Sequence, residues 1–292
     1  MTHVATLIGL NALKELKRMR AVFSDAGEPT QLGPEAADLP FTPIDGMNQR
    51  ATADTLRSAL GASFDIVLQP AANRRKKLFL ADMDSTMIQQ ECIDELADYV
   101  GLKARVAAIT GRAMRGEIAF EPALRQRVAL LKGLPLATID KVIEKRITLT
   151  PGARSLVATM RAHGAYTCMV SGGFTLFTDR IAAMIGFDET RANMLMVDGE
   201  KLSGSVKEPI FGRETKHATL LELRARLGLA EDDTLVVGDG ANDIDMIAAA
   251  GLGVAYHAKP AVAAVAYARI DHADLSALLY AQGYRSEEFV EG

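Results

Sequence analysis

The chain has 292 residues and a formal net charge of -4, from 33 Lys and Arg against 37 Asp and Glu. A mildly acidic chain has no electrostatic attraction to nucleic acid or anionic lipid, which argues against both as partners. The two cysteines match no metal-binding spacing and exclude a disulfide framework, and no uncharged apolar stretch approaches the roughly 18 residues needed to cross a bilayer.

The amino-terminal segment, residues 1–73, is predicted to form a small α/β accessory domain. Its predicted elements run in the order strand, helix, helix, strand, at residues 4–8, 11–23, 53–60 and 64–68. A loop-rich stretch is predicted between the two helices because it contains Pro29, Pro34, Pro40 and Pro43. This segment has no clustered titratable side chains, so packing or dimerisation is its expected role, and a homodimer through it stays open. The cations near its start follow the apolar run, the reverse of a secretory signal, so we expect a cytoplasmic protein.

A basic run at residues 72–77 leads into the second predicted domain, residues 74–292. We interpret this run as a solvated linker and not as a nucleic-acid patch, given the acidic total. After it, short apolar runs alternate with helical patterns, which predicts an α/β fold with a doubly wound, Rossmann-like parallel sheet. The predicted strands are LFLA (78–81), YTCMV (166–170), TLVVG (234–238) and LGVAY (252–256). The predicted helices, each followed by a glycine, begin near residues 151, 214 and 243.

The interval at about 89–149 does not alternate, and its apolar stripes predict helix almost throughout. An all-helical block inserted after the first strand predicts a cap over whatever the sheet binds.

Polar side chains follow three of the predicted strands. Ligands of open parallel sheets bind beyond the carboxyl ends of the strands, so these residues are the candidate site. They are Asp82, Asp84, Ser85 and Thr86 after the first strand, Ser171, Gly172 and Gly173 after the second, and Asp239, Gly240, Asn242 and Asp243 after the third.

Two carboxylates about 4 Å apart repel by roughly 4 kcal/mol at an effective dielectric near 20, so this cluster of carboxylates needs a cation or a proton. Oxygen ligands without His or Cys favour magnesium or calcium, and room for phosphate favours magnesium. Serine and glycine amides suit a phosphate, which predicts phosphoryl transfer with an aspartate nucleophile.

The ordered motifs resemble those of the haloacid dehalogenase superfamily. Asp82-Met83-Asp84-Ser85-Thr86 resembles the first motif of that superfamily, and Ser171 resembles the second. Lys216 resembles the third motif, and residues 238–243, GDGAND, resemble the fourth. Lys207 is a rival for the third motif, but Lys216 opens a helical pattern at the family's spacing. More narrowly, residues 76 to about 285 resemble the phosphoserine phosphatase family, through ECIDE (91–95), GEIAFEPALRQRVALLKGL (116–134) and SGGF (171–174).

This resemblance implies a set of residue roles. Asp82 would attack phosphorus and form an aspartyl-phosphate, while Asp84 would act as general acid and then as general base. Magnesium would be held by the carboxylates of Asp82 and Asp239 and by the main-chain carbonyl of Asp84, with Asp243 just outside. The phosphate would contact Ser171, Gly172 and Lys216. The excess negative charge is expected to hold Asp84 protonated before attack. The remaining implied substrate contacts are Glu91 to the ammonium, Arg127 to the carboxylate, Phe120 closing over the site, and Asn242.

The implied activity is hydrolysis of O-phospho-L-serine to L-serine and phosphate, the last step of serine biosynthesis. In one alternative, the same active-site residues act on another small phosphomonoester, or transfer the phosphate to a hydroxyl such as that of homoserine. A second alternative is a non-catalytic amino-acid sensor, against which the intact set of Asp82, Asp84 and Asp239 argues. Relatives often carry an ACT-like, ferredoxin-type domain at the amino terminus. The predicted order of elements in residues 1–73 is compatible with one, although the prolines leave its central hairpin in doubt.

Overall fold

The computed structural model describes residues 1–23, 25–60, 63–114 and 117–292, without the side chain of Met114. Within these ranges the strands form a four-stranded sheet near the amino terminus, a six-stranded sheet and a two-stranded hairpin. None of the helices in this part of the chain combines the length and the apolar character that crossing a membrane requires.

The amino-terminal sheet is antiparallel, with the strand order β2-β3-β1-β4. Its strands are β1 (His3–Ile8), β2 (Thr30–Gly33), β3 (Ala36–Phe41) and β4 (Asp65–Pro70). The helices α1 (Ala12–Met19) and α2 (Gln49–Leu60) cover one face. Side chains alternate between faces because the period of a strand is two. Leu68 accordingly packs with the helices, while Val67 packs into the larger apolar core that includes residues of the six-stranded sheet.

The hairpin of β2 and β3 corrects the sequence prediction, which placed a loop-rich stretch here. Pro40 lies within β3, opposite Val4 of β1. Its carbonyl oxygen accepts a hydrogen bond from the Gly27 backbone N–H, at 2.8 Å. The missing N–H of the proline ring faces the same way, away from β1, so the ladder to β1 loses nothing. The prolines therefore shape this hairpin without preventing it.

The six-stranded sheet is parallel throughout, with the order β12-β11-β10-β5-β6-β7. Its strands are β5 (Leu78–Ala81), β6 (Tyr166–Phe174), β7 (Glu189–Asn193), β10 (Thr234–Gly238), β11 (Leu252–Tyr256) and β12 (Ala268–Ile270). Of the four central strands, β5, β10 and β11 coincide with predicted apolar runs. Strand β6 extends four residues beyond its predicted run, so Ser171, Gly172 and Gly173 lie within the strand and not after it. The edge strands were missed because β7 is largely polar and β12 has only three residues.

Helices cover both faces of this sheet, as a doubly wound fold requires. Phe79 and Leu235 belong to the apolar core on one face, and Leu80 and Val236 to the core on the other. The helices that follow the strands are α7 (Ala153–Ala162), α8 (Thr175–Ile185), α9 (Arg213–Arg226), α10 (Ile244–Ala248), α11 (Pro260–Ala263) and α12 (Ala277–Ala281). Helix α7 begins two residues later than predicted because Gly152, with φ of 80°, lies outside the helical region.

Between β5 and α7 the described residues form four α-helices. They are α3 (Cys92–Tyr99), α4 (Lys103–Met114), α5 (Phe120–Ala129) and α6 (Ala137–Arg146). Arg115 and Gly116, both in the predicted helical interval, lie outside the described residues, and Gly116 is also the first residue of the stretch 116–134. Strands β8 (Leu195–Asp198) and β9 (Lys201–Val206) form a hairpin that the sequence did not predict. In this hairpin, β9 packs against α5.

Candidate active site

Lys216 joins two aspartates beyond the carboxyl ends of the central strands. Asp82 follows β5, and its carboxylate accepts a hydrogen bond from the Met83 backbone N–H at 2.7 Å. The Nζ of Lys216 lies 2.7 Å from Oδ1 of Asp82 and 2.8 Å from Oδ1 of Asp243. All three residues are buried. Lys207, its rival in the sequence, is exposed, so the structure brings Lys216 into the site and leaves Lys207 outside.

The electrostatics of this group follow from its burial. Burial alone would lower the pKa of Lys216, but Asp243 and Asp82 outweigh it and raise that pKa, so the ammonium stays charged. Burial, followed by the charge of Asp243, raises the pKa of Asp82 well above its usual value. The positive charge of Lys216 alone therefore does not balance the negative charges of Asp82 and Asp243. A further cation would restore Asp82 to its ionised form.

A cluster of buried carboxylates offers that cation a site. One oxygen from each of Asp82, Asp239 and Asp243 lies within 4.8 Å of the other two. Burial raises the pKa of Asp239, as expected for a carboxylate without a full counter-charge. An all-oxygen donor set suits a hard divalent ion. The residues therefore fit a divalent metal.

Asp84 faces the cavity beside this cluster. Its Oδ1 accepts a hydrogen bond from the Cys92 backbone N–H at 3.2 Å. Burial, and then the charge of Glu91, raise its pKa to about 7, so the carboxyl group can both hold and release a proton near neutral pH. The turn that carries it bends sharply at Ser85, whose φ of 55° is left-handed. The Ser85 hydroxyl donates to Oε1 of Glu91 at 2.9 Å, so the same turn orients Glu91.

The end of β6 supplies small, closely packed groups opposite Asp84. Ser171 Oγ accepts a hydrogen bond from the Gly173 N–H at 2.9 Å. A side chain at Gly173 would place its Cβ 3.3 Å from Oδ2 of Asp84, so glycine allows the loop and the carboxylate to approach. Asn193, which the sequence did not indicate, donates from Nδ2 to the carbonyl oxygens of Gly172 and Phe211, both at 2.9 Å. This amide fixes the loop to the segment before α9.

These elements enclose a cavity of about 380 Å³ between the strand ends and helices α3 to α5. Its lining includes the predicted substrate contacts Glu91, Phe120, Arg127, Gly172 and Asn242. The Phe120 ring reaches across from α5, and a Cβ added to Gly172 would lie 3.6 Å from its Cζ. Burial lowers the pKa of Arg127 from its usual value, against the opposing charges of Asp94, Glu91 and Asp84. The guanidinium remains a strong base, so a charged donor group faces this cavity.

The cavity is also lined by two polar residues that the sequence did not indicate. Lys259 lies just after β11, and its Nζ is 3.5 Å from Oδ2 of Asp239. Reading the end of the fourth apolar run as well as the first three would have found it. Thr110 of α4 has a buried hydroxyl without a hydrogen-bond partner among the described residues. A single threonine on a helix gives no sequence signal of this kind.

Comparisons with known proteins show which family and which relatives the chain resembles. The family model described as haloacid dehalogenase-like hydrolase matches residues 79–248. A phosphoserine phosphatase of Polaromonas sp. is 48% identical over 208 residues, covering 70% of this chain and 88% of that protein. A probable phosphoserine phosphatase of Schizosaccharomyces pombe is 37% identical over 292 residues, covering 99% and 97%. A solved structure described as a phospho-aspartyl intermediate analogue of phosphoserine phosphatase aligns with a TM-score of 0.65 and 40% identity, covering 70% of this chain and 98% of that one.

Proposed function

The chain belongs to the haloacid dehalogenase-like hydrolase family, and from that premise we propose that it hydrolyses O-phospho-L-serine to L-serine and inorganic phosphate through a phosphorylated Asp82. The family and the relatives make it a phosphomonoester hydrolase. One observation carries the assignment of the nucleophile: buried Lys216 contacts Asp82 within a carboxylate cluster suited to a divalent ion.

The reaction has two displacements at phosphorus. In the first, an Asp82 carboxylate oxygen bonds to phosphorus as the bond from phosphorus to the serine oxygen breaks, and Asp84 gives its proton to that oxygen. In the second, Asp84 takes a proton from water, whose oxygen attacks phosphorus and releases phosphate and the Asp82 carboxylate. A pKa of about 7 for Asp84 supports both roles, since one group must be protonated in the first step and ionised in the second.

The metal proposed for this site is magnesium, which the carboxylates of Asp82 and Asp239 and the main-chain carbonyl of Asp84 would hold. The donor set is all oxygen, which supports magnesium over zinc. When bound, magnesium supplies positive charge beside the phosphate oxygens. Asp243 would lie next to the metal ligands without binding the metal itself, because its two oxygens already accept hydrogen bonds from Lys216 and from the Gly240 N–H.

Phosphate oxygens are bound by Ser171, the Gly172 backbone and Lys216. The amino-acid part of the substrate lies against the helices. Arg127 pairs with its carboxylate in the planar, two-bond geometry that guanidinium groups favour, and Glu91, oriented by Ser85, pairs with its ammonium. Phe120 closes over the substrate and Asn242 contacts it. We add Thr110, because its hydroxyl finds no partner within the ranges that the structure describes, which supports a further hydrogen bond to the substrate.

The domain organisation is part of the proposal. Residues 1–73 form an ACT-like unit, supported by an antiparallel sheet whose elements follow the order βαββαβ. Residues 74–292 form the catalytic domain, with the helices between 89 and 149 as its cap. The enzyme acts in the cytoplasm in serine biosynthesis, and the ACT-like unit is the surface through which it would form a homodimer.

Phosphate release from a panel of phosphorylated metabolites tests the proposed function. Phosphoserine is the preferred substrate with magnesium, and chelation abolishes release. Product analysis with added alcohols separates hydrolysis from phosphotransfer, because a transferase yields a new phosphomonoester in place of phosphate. Preference for another metabolite, or undiminished release in the presence of chelator, contradicts the proposal.

A further inference from the structure

One of the contacts between the amino-terminal unit and the second domain is made by a fully buried carboxylate. Asp65 is the first residue of β4, an edge strand that lies beside β12. Its Oδ1 accepts the Asp271 backbone N–H at 2.7 Å, and its Oδ2 accepts those of His272 and Ala273 at 3.2 and 2.9 Å. Burying a carboxylate is costly unless hydrogen bonds replace its water. Three backbone donors do so here, which fixes the segment 271–273 to the amino-terminal unit.

The fixed segment in turn holds the loop after β11. The Ala273 carbonyl lies 3.0 Å from Nε2 of His257, and the Ile270 carbonyl accepts the His257 N–H at 2.8 Å. The backbone of His257 has φ of 43°, in the left-handed region that most residues avoid. A residue keeps such a conformation only when its surroundings enforce it. Contacts from the segment 270–273 supply that constraint.

This loop ends at the candidate metal cluster. Two residues after His257, the Lys259 backbone N–H donates to the Asp239 carbonyl at 3.2 Å. The Lys259 ammonium also lies 3.5 Å from the Asp239 carboxylate. Asp239 is therefore held in both its main chain and its side chain by a loop whose own conformation depends on the segment bound to Asp65.

We propose that Asp65 is a positioning residue for the hydrolytic site: the amino-terminal unit, through Asp65 and His257, sets the position of Asp239 and hence the affinity for the divalent metal. This inference rests on the proposed function of the Asp82, Asp239 and Asp243 cluster. It gives the amino-terminal unit a part in metal binding that needs no effector.

A second contact between the same two units provides the control. Buried Asp38 of β3 accepts hydrogen bonds from Thr6 at 2.7 Å and from Arg74 at 2.6 and 3.1 Å. Arg74 also donates to the carbonyl oxygens of Tyr280 and Ala281, at α12. Asp38 thus joins the amino-terminal unit to the second domain as Asp65 does, but through α12 and not through the loop that holds Asp239.

The experiment is a calorimetric titration of magnesium into the full chain and into Asp65→Asn, Asp38→Asn and His257→Asn, with thermal unfolding of each. Asparagine at 65 keeps the shape but replaces one acceptor oxygen by a donor. Asparagine at 257 tolerates a positive φ and is too short to reach Ala273. We expect Asp65→Asn and His257→Asn to weaken magnesium binding about tenfold, the range found when groups that support a metal ligand are removed. Asp38→Asn lowers the unfolding temperature and leaves magnesium affinity within about twofold of the unaltered chain.

The outcomes separate a positioning role from a merely structural one. Equal weakening by Asp38→Asn and Asp65→Asn overturns the proposal, because general loosening of the two units then accounts for the effect. Unaltered magnesium affinity in His257→Asn, an exposed position, also overturns it, even where Asp65→Asn fails to fold. A full chain that binds no magnesium and releases no phosphate refutes the proposed function instead, so the two failures are distinguishable.

Discussion

The ammonium of Lys216 lies 2.7 Å from Oδ1 of Asp82, and neither side chain has appreciable contact with solvent. A buried lysine normally loses its charge, but here Asp82 and Asp243 raise its pKa and keep it protonated. The pair thus places a positive charge beside Asp82, the proposed nucleophile. Such fixed charge stabilises the negative charge on the transferring phosphoryl group without any rearrangement during the reaction.

Replacing this lysine tests that role. Lys216→Met keeps the length of the side chain but leaves Asp82 and Asp243 buried without their partner. We expect the kcat for phosphoserine to fall by about 100-fold or more, and the free energy of unfolding to fall by about 3 to 5 kcal/mol. Urea unfolding and phosphate release measure both. Lys207→Met, at an exposed lysine, is the control and changes neither; a Lys216→Met enzyme with more than about a tenth of normal kcat contradicts the account.

Substrate recognition by Arg127 is tested with two substrates. Arg127→Ala removes the proposed partner of the substrate carboxylate, so the KM for phosphoserine rises by about tenfold or more, as expected for a lost charged hydrogen bond. The KM for p-nitrophenyl phosphate, which has no carboxylate, stays nearly constant. Arg125→Ala is the matched control, since Arg125 lies on the same helix but is exposed and pairs with Glu121 and Glu208. A parallel rise with both substrates removes Arg127 from carboxylate recognition.

The hydroxyl of Thr110, which has no hydrogen-bond partner in the described part of the chain, leads to a smaller effect. Thr110→Val preserves the shape of the side chain and removes the proposed hydrogen bond, so the KM for phosphoserine rises by about three- to tenfold, equivalent to about 1 kcal/mol. Thr178→Val is the control, because Thr178 of α8 also has a buried hydroxyl without a described partner but does not line the cavity. Steady-state kinetics on both variants decide the matter: equal KM values for Thr110→Val and the unaltered chain exclude the contact.

The pH dependence of stability is tested at Glu189, away from the active site. Burial would raise its pKa, but hydrogen bonds from Arg226, Tyr166 and Arg191 outweigh it and lower the pKa to about 2. A carboxylate with a lowered pKa stabilises the fold fully above its ordinary pKa of about 4.5 and loses that contribution as the pH falls towards 2. Because Glu189 is partly exposed, we expect Glu189→Gln to cost only about 1 kcal/mol at pH 7. Urea unfolding measures the difference, which should shrink to about half near pH 3; a difference that does not change with pH refutes this assignment.

The sequence predicts the central sheet and the strand-end residues well for a physical reason. Strands buried on both faces, such as β5 and β10, must be continuously apolar, so both the strand and the residue that follows it can be found by composition alone. Asp82 and Asp239 are therefore visible in the sequence. The hairpin of β2 and β3 is not, because whether Pro40 interrupts a strand depends on which side its missing N–H faces.

Contacts between distant segments account for most of what the sequence leaves hidden. Asp65 looks like any aspartate at the start of a strand, and its partners lie more than 200 residues away. The same holds for Asn193, whose amide joins two loops that no local pattern relates. The Thr110 hydroxyl has no hydrogen-bond partner among the described residues, so its role can be inferred only from the cavity that it faces. These residues are recognisable only once the fold brings the segments together.

The most direct measurement is to identify the residue that carries phosphate during turnover. The protein is mixed with radiolabelled phosphoserine, quenched in acid within one turnover and digested, and the labelled peptide is sequenced by mass spectrometry. We predict a label on Asp82 that hydroxylamine releases and that is absent from Asp82→Asn, which keeps its fold but does not turn over substrate. Steady hydrolysis without a labelled peptide, or a label on any other residue, would contradict nucleophilic attack by Asp82.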